Sequence, residues 1–188
     1  LKTNFSDFYS KLKDFGIGEF IGVGLQEETT SYLRPYEQWT KLDLITASFG
    51  QGISATALQV ISALSTIAND GERMRPYIIS EITDNKETIT IEPKVLSQPI
   101  SKDTANFVTK ALQEAVQEGL LGGLVSKDLS KYDIAAKTGT AQIAKSDSAG
   151  YAKYITNATT VGYAPTDSPK LILLVKLEEP EISEFAAY

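Results

Sequence analysis

The stretch Ala136-Lys137-Thr138-Gly139-Thr140-Ala141-Gln142 says the most about the fold and the chemistry of this chain. It lies in a run, residues 134–143, that predicts a β-strand. Glycine weakens the interior of a strand, and there it often marks the close approach of a ligand or of another backbone. The lysine and the two threonines around Gly139 would supply a cation and hydroxyl groups beside that strand. Such a strand suits a peptide that carries a terminal carboxylate and binds as an added strand.

Two other interpretations of Lys137-Thr138-Gly139-Thr140 have to be weighed. A solvated strand with a chance glycine would contain the same residues, so the tetrapeptide alone does not decide the function. The tetrapeptide also resembles the end of a phosphate-binding loop. However, Ala136 stands where that loop needs glycine, and the spacing upstream fails as well.

Two further strands are predicted after this one, at residues 159–164 and 170–177. The segment Pro165-Thr166-Asp167-Ser168-Pro169 between them has the composition of a turn. Strands so close in sequence pair as an antiparallel meander.

Helices are predicted upstream of the strands. Phe8, Leu12 and Phe15 have helical spacing, and Gly16 is a natural stop after them. A second helix begins at the capping box Thr56–Gln59 and ends at 69–71. Its predicted inner face consists of Leu58, Ile61, Leu64 and Ala68.

A third helix is predicted to begin at Ser101 and to be closed by Gly119. Its predicted inward residues are Phe107, Val108, Ala111, Leu112 and Ala115. Residues 17–40 are expected to be irregular with short strands, residues 77–91 to form a β-hairpin around Asp84-Asn85, and residues 119–132 to form a loop. Helices followed by a meander predict an α+β fold.

The composition excludes several classes of protein and of functional site. The 188 residues suffice for one domain with a core, and their apolar runs are far shorter than the roughly 18 residues of a membrane span. The net charge of −6, without a basic cluster, argues against a nucleic-acid partner. Because the chain has no Cys and no His, thiol nucleophiles, Ser-His-Asp triads and His-ligated or thiolate-ligated zinc are excluded within it. We expect no metal and no cofactor.

Lys-Thr-Gly is also the third motif of the penicillin-recognising serine enzymes, and further stretches agree with that family in the same order. They are Phe15-Gly16-Ile17-Gly18, Ser48-Phe49-Gly50-Gln51-Gly52-Ile53, Thr56-Ala57-Leu58-Gln59, Ile67-Ala68-Asn69-Asp70-Gly71 and Val161-Gly162-Tyr163-Ala164-Pro165. Over nearly its whole length, the chain resembles the class B, monofunctional penicillin-binding proteins.

The resemblance implies a β-lactamase/transpeptidase-like α+β fold, with an antiparallel sheet flanked by helices. It implies that residues 1–188 are the C-terminal portion of a single transpeptidase domain. The N-terminal anchor, the dimerisation region and the nucleophile-bearing part would lie outside this segment. The implied location is the extracytoplasmic face of the bacterial cell membrane.

The resemblance also implies the reaction, a serine-type D,D-transpeptidation that cross-links peptidoglycan stem peptides ending in D-Ala-D-Ala. The implied catalytic residues are Lys137 and Thr140, and the implied substrate-binding residues are Lys137, Thr138, Gly139 and Thr140. β-Lactams would bind at the same place. Other cell-wall synthesis proteins are the implied partners.

The chain departs from the family pattern at several points. Ala136 stands where the family usually has Gly, and Thr159-Thr160 where Ser-Phe is frequent. The second family motif, Ser-x-Asn, does not occur. One Ser-x-x-Lys does occur, at Ser10–Lys13, but it lies in the first predicted helix, where the family has structural residues. We expect Ser10 not to be a nucleophile and this segment alone to be inactive.

Two alternatives stay open from the sequence. One is a serine β-lactamase or β-lactam sensor of the same fold, which hydrolytic turnover of penicillin would distinguish. The other is a non-catalytic scaffold module of a cell-wall assembly, which a degenerate Ser-x-x-Lys upstream would favour.

Overall fold

The computed structural model describes residues 4–118, 132–145 and 150–181, with only the backbone described at Lys153 and Tyr154. In chain order the elements are α1 (Phe5–Asp14), a 3-10 turn (Tyr36–Gln38), α2 (Lys41–Ala47), α3 (Ala57–Ala68), β1 (Arg73–Met74), β2 (Glu81–Thr83), β3 (Thr88–Thr90), β4 (Val95–Ser97), α4 (Lys102–Gln117), β5 (Ala135–Ala144), β6 (Tyr151–Ala164) and β7 (Leu171–Glu178). This order confirms the predicted helices followed by a meander.

Strands β5, β6 and β7 form a three-stranded antiparallel sheet in that spatial order. The middle strand begins at Tyr151, eight residues before the predicted start at Thr159. Strand β6 pairs with β5 on one side, where Ala144 lies opposite Tyr151, and with β7 on the other side, where Leu171 lies opposite Ala164. The connection from β6 to β7 turns at Pro165, as predicted, and Lys170 N–H donates to the carbonyl of Ala164 at 3.0 Å.

Side chains alternate between the two faces of this sheet. One face packs on α3 and α4. There Ala135, Val161 and Tyr163 form a buried cluster with Leu64 of α3, and the partly buried Leu112 of α4 packs against this cluster. The opposite face is apolar and exposed along β7. Its members are Leu171, Leu173, Val175 and Leu177.

Helix α3 contacts α4, β1 and strands β6 and β7 of the sheet. The predicted capping box is confirmed, because the Thr56 hydroxyl accepts from Gln59 N–H while the Gln59 side chain accepts from Thr56 N–H. The predicted apolar face is only partly right. Leu64 is buried, but the two fully buried large side chains of this helix are polar, Gln59 and Thr66, and Leu58 is only half-buried.

Helix α4 begins at the predicted N-cap, where the Ser101 hydroxyl accepts from Thr104 N–H at 3.2 Å. The predicted inward face is wrong at Phe107, which is 73% exposed, and at Ala111, which is exposed. The buried residues are instead Ala105 and Val116. The other predicted inward residues, Val108, Leu112 and Ala115, are half-buried, and Leu112 packs against the cluster that contains Leu64 and Ala135, so the prediction is right for this part of the face. The predicted closure at Gly119 and most of the predicted loop fall outside the described residues.

The N-terminal third holds two corrections. No strand occurs in residues 17–40, where short strands were expected, and the sequence did not indicate α2. Helix α1 and its stop are confirmed, since Gly16 adopts a φ of 89° and its N–H bonds to the Lys13 carbonyl. The predicted hairpin is confirmed as β2 and β3, with Ile82 opposite Ile89.

Candidate functional site

The predicted site residues occupy four consecutive positions of β5, which is the outer strand of the described three-stranded sheet. Lys137 lies opposite Val161 of β6, and Gly139 lies opposite Thr159. Thr138 and Thr140, between and after them, lie opposite Thr160 and Ala158. An outer strand presents its backbone N–H and C=O groups on the side away from its partner, which is where another extended chain can pair.

The structure does not place all four residues on one face. Alternation puts Lys137 and Gly139 on the face of Ala135 and Val161, which packs on Leu64 of α3. Thr138 and Thr140 lie on the opposite face with Ala136, which packs with Val116 of α4. Lys137, Gly139 and Thr140 are exposed, while Thr138 is half-buried. A ligand can therefore meet the cation and both hydroxyls together only by lying along the edge of β5, between the two faces.

The ammonium of Lys137 stays close to its own strand. Its Nζ donates to the backbone carbonyl of Thr138, and the side chain is exposed. A lysine ammonium has three protons to donate, so this bond leaves donors for an anionic ligand.

Gly139 provides space rather than an unusual backbone conformation. No heavy atom lies within 4 Å of the position that a Cβ would take there, and Gly139 is not among the glycines with a positive φ. The glycine therefore leaves open space next to Lys137 on the same face of an otherwise ordinary strand.

The residue before the lysine is accommodated by a glycine on the neighbouring strand. Ala136 lies opposite Gly162, and its Cβ would lie 2.8 Å from a Cβ built at Gly162. Ala136 is also buried, packed with Val116 of α4. Ala136, which stands where the family usually has glycine, thus occupies space that the absence of a side chain at Gly162 leaves open.

Behind the strand, a pair of hydroxyls joins α4 to β6. The Thr109 Oγ1 and Tyr163 OH atoms lie 2.6 Å apart, and Thr109 Oγ1 lies 2.9 Å from the Ala105 carbonyl. Since a carbonyl can only accept, the single proton of Thr109 is donated to Ala105, and Tyr163 donates to Thr109. Burial raises the pKa of Tyr163, which favours the protonated donor.

The Ser-x-x-Lys of α1 has no nucleophilic geometry among the described residues. Ser10 is exposed on the helix, and Lys13 Nζ lies 3.2 Å from the carboxylate of Glu19, with which it forms an ion pair. This arrangement agrees with the interpretation of Ser10 and Lys13 as surface residues of a helix.

Two polar side chains whose hydrogen bonds the sequence did not predict hold the segment before α3. The Glu28 carboxylate accepts the backbone N–H groups of Ile21, Gly22 and Val23 at 2.5 to 3.1 Å. These bonds, first that of Gly22, lower the pKa of Glu28 below its ordinary value. The second residue is Gln59, which the sequence marked as a capping residue and as part of the stretch Thr56–Gln59 that resembles the family, but not as a buried residue. The sequence held a signal for each of these residues. Glu28 follows a glycine-rich run, and Gln59 stands at the start of the apolar run of α3.

Neither a metal centre nor a membrane span is found in the described part of the chain. Nowhere in residues 4–118, 132–145 and 150–181 do three or more acidic, His or Cys residues gather as ligands. Within the same residues, no helix combines the length and the apolar character needed to cross a membrane.

Comparisons with known proteins agree with the resemblance of the motifs. The family model described as penicillin binding protein transpeptidase domain matches residues 1–188. Stage V sporulation protein D of Bacillus subtilis is 34% identical over 179 residues, which are 92% of this chain and 26% of that protein. Peptidoglycan D,D-transpeptidase FtsI of Buchnera aphidicola is 31% identical over 180 residues, 95% of this chain and 29% of that protein.

Among solved structures, penicillin-binding protein 3 of Mycobacterium tuberculosis is similar over 96% of this chain and 41% of its own, with 29% identity. The TM-score is 0.82 for its complex with aztreonam and 0.83 for its complex with ampicillin. This likeness confirms the predicted transpeptidase-like α+β fold. The chain spans about a quarter of the length of the curated relatives named above.

Proposed function

This chain belongs to the family of penicillin-binding protein transpeptidase domains, and on that premise we propose that it is the C-terminal portion of a peptidoglycan D,D-transpeptidase domain. Its relatives are class B penicillin-binding proteins. Because the chain spans only part of their length, the activity is assigned to the parent protein. Residues 1–188 would supply the substrate-binding strand of that protein's site.

The proposed reaction proceeds through a serine acyl-enzyme. The serine Oγ, supplied by a Ser-x-x-Lys motif upstream of residue 1, attacks the carbonyl carbon between the two D-Ala residues. The peptide C–N bond breaks, and the terminal D-Ala leaves with a proton on its amine. An amine of a neighbouring stem peptide then attacks the ester, forms the cross-link and returns the serine to its starting state.

Each residue of the β5 segment has a proposed role in that reaction. Lys137 contributes positive charge near the nucleophile and near the substrate carboxylate. The hydroxyls of Thr138 and Thr140 donate hydrogen bonds to that carboxylate, and the Thr140 backbone N–H is one donor to the developing oxyanion. Gly139 leaves room for the substrate on the strand.

One observation carries this proposal. The Lys137–Thr140 segment lies on the outer strand of the sheet, with open space at Gly139 and an exposed cation beside it. That geometry suits a peptide added along the strand edge and ending in a carboxylate. β-Lactams, which resemble the D-Ala-D-Ala end, would acylate the same serine.

The proposed location and partners of the protein follow from the reaction. Stem peptides of peptidoglycan are found outside the cytoplasm, so the domain would face that side of the cell membrane and would be held there by an anchor outside this segment. Its further partners would be other cell-wall synthesis proteins. No cofactor or metal takes part in the proposed chemistry.

Labelling with a fluorescent penicillin tests the proposal. The full-length protein is expected to form a stoichiometric covalent adduct, measured by intact mass spectrometry, and to release D-Ala from a stem-peptide substrate. A full-length protein that forms no adduct, or one that turns penicillin over hydrolytically at a high rate, would contradict it. Residues 1–188 alone are expected to form no adduct, and an adduct lost on Ser10→Ala would show that the nucleophile had been misplaced.

A further inference from the structure

A single buried carboxamide joins the two ends of the segment 19–31. Gln59 of α3 is 0% exposed. Its Nε2 donates to the Glu19 carbonyl at 2.8 Å and to the Thr30 hydroxyl oxygen at 2.9 Å. Its Oε1 accepts from the Ser31 hydroxyl at 2.7 Å and from the Thr56 backbone N–H at 2.9 Å. Both donors and both acceptor positions of the amide are therefore in use.

The same segment is also closed from within. The Glu28 carboxylate accepts three successive backbone N–H groups, and the apolar side chains of Ile21 and Val23 are buried. Because its ends are joined by Gln59 and its interior is filled by its own side chains, the segment 19–31 is an Ω-type loop with a fixed shape.

This loop connects two parts of the structure. At its start lies the end of α1, where the buried Arg73 of β1 donates to the Asp14 carbonyl and to the Glu19 carboxylate, each at 3.4 Å. At the other side Gln59 belongs to α3, which packs on β6 and β7 through the cluster around Leu64. Gln59 thus provides a hydrogen-bonded link from the loop that follows α1 to the helix that packs on the sheet carrying Lys137.

We propose that Gln59 is a positioning residue for the transpeptidase reaction. This inference rests on the proposed function, in which the nucleophile-bearing part of the site precedes α1 and Lys137 lies on β5. Gln59 touches neither the substrate nor the reacting atoms. By fixing the loop 19–31 on α3, it sets where the chain leading from α1 stands relative to the Lys137 strand.

The test compares two buried polar residues of α3 in the full-length protein. Gln59→Met keeps the volume of the side chain and removes all four hydrogen bonds. Thr66→Val is the matched control, because Thr66 is equally buried but its hydroxyl bonds only within the helix, to the Ser62 carbonyl at 3.0 Å. For each variant, thermal unfolding, the dissociation constant of the non-covalent penicillin complex and the acylation rate within that complex are measured.

Gln59→Met is expected to reduce the acylation rate by about ten- to a hundredfold, because a small misplacement of catalytic groups has effects of that size. The dissociation constant is expected to change much less, and protease cleavage within residues 19–31 to become faster. Thr66→Val is expected to keep acylation within about twofold of wild type, whatever its effect on stability.

A second pair of variants keeps the test valid if Gln59→Met does not fold. Thr30→Val and Ser31→Ala each remove one hydrogen bond to Gln59 and leave α3 unchanged, and Thr30→Val also removes the longer bond from the Thr30 hydroxyl to the Ser31 carbonyl at 3.4 Å. Both are expected to slow acylation in the same direction as Gln59→Met, by a smaller factor. If wild type acylates while these variants and Gln59→Met all acylate at the wild-type rate, Gln59 has no positioning role. If wild type itself does not acylate, it is the proposed function that fails.

Discussion

Gly162 of β6 lies directly opposite Ala136 of β5, and a Cβ at Gly162 would lie 2.8 Å from the Ala136 Cβ and 2.9 Å from the Ala135 carbonyl oxygen. Both distances are too short for ordinary contacts. The two strands are therefore fitted to one small residue and one glycine immediately before the Lys137 segment.

Replacing that glycine is expected to strain the sheet. Gly162→Ala should lower the free energy of unfolding by about 1–3 kcal/mol, as overpacking of a core does, measured by chemical denaturation. Adding Ala136→Gly should restore part of the loss and leave the part due to the Ala135 carbonyl. Gly139→Ala, at a position with nothing within 4 Å, is the control and should not destabilise. Equal losses for Gly162→Ala and Gly139→Ala would contradict this account.

The open space at Gly139 leads to a prediction about binding. Gly139→Val should leave the protein folded, because a β-branched residue suits a strand, but it should slow penicillin acylation of the full-length protein by at least about tenfold. Gly139→Ala should have a smaller effect on the same rate. Wild-type acylation by the valine variant would mean that no ligand lies against this strand.

Charge at Lys137 is expected to matter more than the length of the side chain. Lys137→Ala in the full-length protein should reduce acylation by about a hundredfold, the scale for losing an electrostatic contact of a transition state. Lys137→Arg should retain more activity than Lys137→Ala. The exposed Lys145 on the same chain provides the control, since Lys145→Ala removes an equal charge. Equal acylation by the two alanine variants would remove the proposed role of Lys137.

The Thr109–Tyr163 pair predicts unequal effects of its two deletions. Tyr163→Phe leaves Thr109 bonded to the Ala105 carbonyl and should cost about 1 kcal/mol. Thr109→Val leaves the Tyr163 hydroxyl buried without its acceptor and should cost more, up to about 3 kcal/mol. The double variant should be less destabilised than the sum. A larger cost for Tyr163→Phe would reverse the assigned direction of the bond.

Acid should weaken the loop that Glu28 closes. The backbone N–H groups, first that of Gly22, lower the pKa of Glu28 in the folded protein. Its contribution to stability is therefore fully present above the ordinary glutamate pKa and is lost as the pH falls through the lowered value. The difference in unfolding free energy between wild type and Glu28→Gln should be constant near neutral pH and shrink in acid. Glu27→Gln, at an exposed neighbouring residue, should change stability by no more than about 0.5 kcal/mol.

The sequence predicted those features that depend on neighbouring residues. The capping box of Thr56 and Gln59, the N-cap at Ser101 and the stop at Gly16 are all local hydrogen-bonding patterns, and the structure has each of them. Helix α2 was missed because seven residues are too few to show a helical period. Its capping box, Thr40 with Asp43, was the available signal.

Features that depend on distant residues were not predictable in the same way. Phe107 was expected inside because it is apolar, but the contact of α4 with β5 determines which stripe of the helix is buried. The sequence marked Gln59 as a cap, whereas three of its partners lie 28 to 40 residues away. For the site, the motif leads to the proposal of the four residues from Lys137 to Thr140, but their position on the outer strand follows only from the order of the sheet.

The alternation of Lys137 and Thr138 between opposite faces makes the site sensitive to strand register. A slip of β5 by one residue against β6 would bring Thr138 to the position of Lys137 and would move every side chain of the strand to the opposite face, without any change of amino acid. Insertions and deletions within β5 are therefore expected to abolish the chemistry more completely than most substitutions. The fitted pair Ala136 and Gly162, one step before the lysine, favours the present register, since a side chain at the position of Gly162 would lie too close to Ala136.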